Sequence, residues 1–302
     1  MSKPRTIRLQ HAGLEFSGLD IGKGPLVLCL HGFPDTEETF AEQFGPLSKA
    51  GYRVVAMRLR GYEPSSQPKV PAYHASELAS DVVGWLDALK VERAHLVGHD
   101  WGATIAYAAA ALAPARFHSL TTLAVPHPGR FEIEVGKNKA QLKASWYVIF
   151  FQIKGLSDWW LGRRNGAAIE KLWRAWSPQW SIPASALDAV KQAFTVRGVR
   201  AASLAYYRQA LEKKSAAGAK SRELVTGPIP VPTLAMHGEA DGCIRSDVFK
   251  SSMRQEEFPA GLTVKSVVGA GHFVHREKPN EVNELLVRWF GRNEKADKEL
   301  GQ

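Results

Sequence analysis

Cysteine is scarce in this chain: Cys29 and Cys243 are the only two in 302 residues, and no spacing pattern links them. That excludes a disulfide framework and a cysteine-built metal site, and it suits a reducing cytosol. Long apolar runs are lacking too. None approaches the roughly 20 residues of a membrane span, and Met1-Ser2-Lys3-Pro4-Arg5 leads into no apolar signal core. A cytoplasmic protein with no membrane partner is expected. Internal repeats are missing, which excludes a solenoid. Blocks of like charge are missing as well. The net charge is +9, and residues 128–225, where 17 Lys/Arg face 7 Asp/Glu, carry +10 against −1 for the rest, but the cations stand singly or in pairs such as Arg163-Arg164 and Lys213-Lys214. Without a basic helix or a recognition motif, this is a solvated surface and no nucleic-acid partner is expected.

What the chain does have is alternation. Apolar runs at 26–30, 53–57, 94–98 and 120–125 read as strands, with Cys29 a small core residue in the first. Between them, Leu78, Val82, Trp85, Leu86 and Leu89 form a helical stripe. Apolar strands alternating with helices predict an α/β core: a mostly parallel sheet covered on both faces. The alternation stops at Pro126-His127-Pro128-Gly129. Residues 128–225 hold six of the nine tryptophans (Trp146, Trp159, Trp160, Trp173, Trp176, Trp180) and helical patterns at 184–194 and 198–214. This segment is predicted to be an inserted helical cap, with one or two of its tryptophans on a pocket wall and the polar stretch 215–221 as its exit hinge. The core resumes with strands at 231–236 and 263–268 and a helix at 279–290, followed by a charged tail from Arg292 expected to fray. The division is therefore core 1–127, cap 128–225 and core 226–302.

The chemistry is concentrated at Leu96-Val97-Gly98-His99-Asp100-Trp101-Gly102-Ala103. Small residues two before and two after a central nucleophile, between a strand and a helix, are the form of a nucleophile elbow. Gly98 and Gly102 let backbone pack on backbone there. The apex is a carboxylate where a hydrolase of this form usually has a hydroxyl. Carboxylates attack sp³ carbon and leave an ester on the enzyme, which turns the expectation from esters and peptides toward epoxides or alkyl halides.

Such an elbow runs nucleophile, acid, histidine along the chain. Downstream lie His237-Gly238-Glu239-Ala240-Asp241 and Gly269-Ala270-Gly271-His272-Phe273, each just past a predicted strand. His272 is the candidate base; Asp241 and Glu239 compete to orient it. Upstream, His31-Gly32-Phe33-Pro34 forms a turn after the first core strand. The backbone N–H groups of Phe33 and Trp101 would together stabilise an oxyanion on the Asp100 carboxyl. His31 and His99 read as residues that satisfy backbone groups in their turns. His272, His275 and Glu277 match no zinc spacing, so no metal is expected, and no cofactor.

Taken in order, His31-Gly32-Phe33-Pro34, Arg60-Gly61-Tyr62, Gly98-His99-Asp100-Trp101-Gly102, Glu239-Ala240-Asp241 and Gly271-His272-Phe273 resemble the epoxide hydrolase branch of the α/β-hydrolase superfamily, with haloalkane dehalogenases as close relatives. The likeness spans about residues 10–290 and implies the α/β-hydrolase fold. It selects Asp241 as the acid. It also implies two cap tyrosines that hydrogen-bond the epoxide oxygen: Tyr147, four residues before Phe151-Gln152, and Tyr207, in Tyr206-Tyr207-Arg208. Neighbours on a helix point about 100° apart, so only one of Tyr206 and Tyr207 can face the site. Glu63 departs from the family, which often has glycine there, and reads as a local loop change. The implied reaction opens an epoxide to a vicinal diol through an ester on Asp100, with a small-molecule epoxide and water as the only partners. The alternatives are a dehalogenase using the same Asp100 and a non-catalytic binding protein on the fold. Phe33 stands where dehalogenases often have asparagine, which disfavours the first; a complete set of site elements disfavours the second.

Overall fold

The computed structural model describes residues 3–300. Its strands are β1 (Arg5–His11), β2 (Leu14–Ile21), β3 (Leu26–Leu30), β4 (Arg53–Met57), β5 (Ala94–His99), β6 (Phe117–Leu123), β7 (Thr233–Gly238) and β8 (Leu262–Val267). They form one sheet in the order β1-β2-β4-β3-β5-β6-β7-β8. The strands from β4 to β8 are parallel, while β1 and β2 pair antiparallel along one edge. Around the first half of the sheet lie α1 (Ala41–Lys49), α2 (Ala75–Ala88) and α3 (Trp101–Leu112).

The central strands read as unbroken apolar runs because each is buried on both faces. Along β3, Leu26, Leu28 and Leu30 join a core with Val55, Leu96 and the α2 residue Trp85. Val27 and Cys29 point the other way, into a second core with Val54, Val97 and α1 residues Phe44 and Leu47. The edge hairpin β1–β2 escaped the sequence reading. Its signal is an alternation (Ile7 and Leu9 between Thr6, Arg8 and Gln10) and a two-residue turn, Ala12-Gly13, with φ of 50° and 74°. Positive φ at both positions is the twist a tight hairpin needs. Glu63 proves to fasten its loop to this edge, its carboxylate accepting from Ser17 N–H at 2.6 Å and Ser17 Oγ–H at 2.8 Å.

Between β6 and β7 the chain is helical: α4 (Pro128–Lys137), α5 (Lys139–Ala144), α6 (Trp146–Phe150), α7 (Leu156–Gly162), α8 (Ala167–Trp176), α9 (Ala184–Ala193), α10 (Val199–Ala210) and α11 (Ala216–Thr226). Two expectations are corrected. The polar stretch at 215–221 is no hinge: Ser215 accepts from Gly218 N–H at 3.0 Å as an N-cap, and strong helix formers behind it carry α11 to Thr226. The tail does not fray at Arg292 either. After α12 (Ser246–Ser252) and α13 (Val274–Glu277), helix α14 (Pro279–Leu300) runs straight through it, anchored by Val282, Leu286 and Phe290 in the second core; Gly301 and Gln302 lie outside the described residues. No helix among the described residues is long and apolar enough to cross a membrane.

This topology places the site. From β3 the chain passes to β4 on one side and then crosses to β5 on the other. The connections leaving the C-terminal ends of β3 and β5 therefore diverge, and open α/β sheets bind ligands in the crevice at such a switch point.

Candidate active site

Asp100 sits at the tip of the β5–α3 turn with φ 52° and ψ −120°. A non-glycine residue there stores strain of order 1–3 kcal/mol. Packing imposes the turn: a Cβ on Gly102 would lie 2.1 Å from Leu30 O, and one on Gly98 would lie 2.3 Å from Gly102 O. The helix therefore starts hard against β3 and lifts the Asp100 carboxylate above the sheet. Gly32 completes the approach, since a Cβ at that position would meet Asp100 Cβ at 2.3 Å.

The carboxylate has two inequivalent oxygens. Oδ1 accepts from Phe33 N–H at 2.7 Å. Oδ2 lies at a long 3.4 Å from His272 Nε2. Among the described residues the Trp101 N–H makes no bond to the carboxylate, so the expected donor pair is half engaged in the resting site. The Phe33 turn is fixed from below by His31. Its Nε2 accepts from Leu59 N–H at 3.1 Å, which leaves Nδ1 to donate to Gly32 O at 2.9 Å. Burial drops His31 to a pKa of about 4, so it is neutral. On the far side of the turn, Pro34 O accepts from Trp173 Nε1–H at 2.9 Å.

His272 Nδ1 meets Asp241 Oδ2 at 2.9 Å, while Glu239 is exposed and lies 3.8 Å from Lys250. The structure brings Asp241, and not Glu239, to the histidine. Asp241 Oδ1 is held by the N–H groups of Cys243 at 2.7 Å and Ile244 at 3.0 Å. The histidine loop is braced by residues to which the sequence reading gave no such role. Trp176 O accepts from Gly242 N–H at 3.0 Å and His272 N–H at 3.1 Å, and Ser177 Oγ accepts from His272 N–H at 3.0 Å. Glu277 takes Ser177 Oγ–H at 2.6 Å and Gly271 N–H at 2.8 Å. His99, neutral with a pKa near 3 through burial, contacts His272 O with Nε2 at 3.0 Å; His275 turns to Thr39 Oγ1 at 2.9 Å.

Burial alone would depress the His272 pKa, but the Asp241 and Asp100 carboxylates override it and raise it to about 10. Asp100 is pulled the other way, below the ordinary carboxylate range despite its burial, by His272 and the Phe33 N–H. The resting pair is thus imidazolium and carboxylate. Removing the charge on Asp100 leaves His272 with one anion fewer, so its pKa must fall. We expect the His272 ring to stay protonated through pH 8 in an NMR titration, and Asp100→Asn to move its midpoint downward. An unchanged midpoint in the variant would mean that Asp100 does not hold this proton.

A cavity of about 340 Å³ opens above Asp100. Tyr147 from α6 and Tyr207 from α10 line it, their ring centroids 5.9 Å apart. Burial, followed by nearby anionic and polar groups, pushes both phenols well above their ordinary pKa, so each keeps its proton. Tyr206 borders the cavity too, but its hydroxyl is spent on Arg60 O at 2.7 Å. The rest of the wall is mostly apolar, with Trp101, Val125, Phe131, Val148 and Ile244. None of the six tryptophans of residues 128–225 is among its lining residues, contrary to expectation: Trp173 and Trp176 are buried in the core and Trp146 and Trp159 face outward. At the rim, Glu132 on α4 pairs with Lys213 at 2.9 Å and Arg222 at 2.8 Å.

Residues 25–279 match the alpha/beta hydrolase fold family. An epoxide hydrolase of Caballeronia sordidicola is 30% identical over 309 residues, covering 92% of this chain and 91% of its own. An AB hydrolase superfamily protein of Bacillus subtilis is 29% identical, covering 88% and 90%. The crystal structure of a Bacillus megaterium epoxide hydrolase in complex with an inhibitor superposes with a TM-score of 0.82 at 27% identity, covering 94% of this chain and 100% of that one. With an eight-stranded sheet of this order and an aspartate at its elbow, the chain belongs to the α/β-hydrolase fold family, in its epoxide hydrolase branch.

Proposed function

We propose that this chain hydrolyses epoxides to vicinal diols, with residues 128–225 serving as the cap over the site. The observation that carries the reading is the pair of neutral phenols, Tyr147 and Tyr207, on the same cavity as the Asp100 carboxylate. An alkoxide is too basic to leave unprotonated, and a phenol of pKa about 10 or above still holds the proton it needs. The names of the relatives agree with it.

In this reading Oδ2, the oxygen not held by Phe33, attacks a ring carbon. The C–O bond breaks toward the tyrosines, and one of them protonates the oxygen. Asp100 is now a neutral ester and no longer holds the His272 proton, which passes through solvent to the phenolate and restores the phenol. Neutral His272, oriented by Asp241, then takes a proton from water as the water oxygen attacks Asp100 Cγ. Negative charge develops on Oδ1, beside the Phe33 N–H, with the Trp101 N–H as the second donor that this step would engage. Collapse breaks the Cγ–Oδ2 bond; the departing alkoxide takes a proton from His272 and leaves as the diol, and the acid proton left on Asp100 passes to His272 to restore the imidazolium and carboxylate. Single turnover in heavy-oxygen water is expected to place label in the Asp100 carboxylate; label found only in the diol would mean direct attack by water on the epoxide.

Halide displacement is the second reading, and the site gives it little. A halide needs N–H donors. The Trp101 indole packs edge-on against the Tyr207 ring at a centroid distance of 5.0 Å, and the Phe33 side chain has no donor to offer.

A further inference from the structure

The Tyr147 phenol has a partner that is not part of the cavity lining: Cys243, whose Sγ lies 3.2 Å from the hydroxyl oxygen. Sequence reasoning passed over this cysteine because it forms no pattern with Cys29. Its place is nevertheless tightly set. The Cys243 N–H donates to Asp241 Oδ1 at 2.7 Å and its C=O accepts from Gln141 Nε2 at 2.8 Å. Gln141 is fully buried on α5, and its Oε1 accepts from Arg245 N–H at 2.8 Å. One amide thus bridges the loop carrying Asp241 to the cap segment leading to Tyr147, and the thiol lies at that junction.

A phenol has one proton and a thiol has one. If Tyr147 is to give its proton to an epoxide oxygen, it cannot also give it to sulfur, so the contact must run from S–H to the phenol oxygen. We propose that Cys243 is a positioning residue for Tyr147: its thiol donates to the phenol oxygen, turns the phenol O–H toward the cavity, and steadies the negative charge that grows on that oxygen as its proton leaves. The proposal rests on the epoxide reading, though the direction of the hydrogen bond can be tested apart from it. The state of the thiol agrees. Burial, with Asp241 and Asp100 close by, pushes its pKa well above the usual value, so the proton to be donated is present throughout the working pH range.

The direction can be read without any substrate. In a Cys29→Ala background the Cys243 S–H infrared stretch should sit below that of a free thiol and move back when Tyr147→Phe removes the acceptor. A stretch that ignores Tyr147→Phe overturns the proposal, whatever the enzyme acts on. The catalytic part is read by single-turnover kinetics on an epoxide. S–H is a weak donor, so Cys243→Ala should slow ester formation by about three- to tenfold, the loss of one modest hydrogen bond, and leave ester hydrolysis unchanged. Cys243→Ser should restore most of the loss, and in a Tyr147→Phe background Cys243→Ala should cost nothing further. Slowed hydrolysis, or a loss undiminished in the Tyr147→Phe background, would assign Cys243 to the Asp241 loop instead and overturn the role.

Discussion

His272→Gln is expected to stop the cycle at the ester. In the proposed mechanism ring opening needs the Asp100 carboxylate and a phenol proton, and glutamine removes neither. Hydrolysis needs a base beside the Asp100 carboxyl; His272 Nε2 lies 3.4 Å from Oδ2, and an amide cannot take the proton of water. Incubation with an epoxide should therefore add the full mass of one substrate to the protein, on the peptide containing Asp100, with steady-state turnover down on the order of 10⁴-fold. An unmodified variant with the same loss would place His272 before ring opening, and a variant that keeps turning over would remove it from the mechanism. Glutamine also keeps a donor for Asp241, so the loop braced by Trp176, Ser177 and Glu277 should hold its shape.

The second large effect falls on the other half-reaction. Tyr147→Phe with Tyr207→Phe should reduce ester formation from an epoxide by about 10³- to 10⁴-fold, the range of a lost general acid, while each single variant loses much less because the remaining phenol still protonates the oxygen. Both rings stay in place, and the apolar packing of Tyr207 against Phe33, Phe151 and Trp101 is kept, so thermal stability should change little. A panel of haloalkanes separates the two reactions. If the double variant keeps its epoxide turnover, the phenols are wall and not acid; if wild type releases halide faster than it opens any epoxide, the dehalogenase reading replaces ours.

Much of this was legible because the sequence signals are local and the geometry follows from them. The elbow could be read from Gly98 and Gly102 since no other residue fits where their Cβ would meet backbone at 2.1–2.3 Å. The core strands were visible as apolar runs because both faces of β3 and β5 are buried. Asp241 could not be told from Glu239 by spacing alone; a backbone turn decides which carboxylate faces His272, and the family resemblance supplied that choice. Tyr147 and Tyr207 likewise came from resemblance, for two helices far apart in sequence set their meeting. The bracing roles of Gln141, Ser177 and Glu277 were not legible; Glu277 was weighed only as a metal ligand. All three are ordinary polar residues, and only tertiary contact reveals that their hydrogen bonds end on the loops of the site. The α11 helix was misread because an alanine-rich segment with serine, lysine and glycine looks alike as hinge or as helix until its Ser215 cap is seen.

The contacts of Trp176 and Ser177 have a mechanical meaning. The end of α8 is bonded through its backbone carbonyl and the next hydroxyl to both Gly242 and His272, so lifting the helical segment away as one piece would pull the acid and histidine loops apart. That edge behaves as a fixed wall. The opposite edge, where Glu132 reaches Lys213 and Arg222, is held by half-exposed ion pairs, each worth about 1 kcal/mol or less. The cavity is therefore bordered by rigid backbone on the side of Asp241 and His272 and by a yielding rim on the side of Glu132.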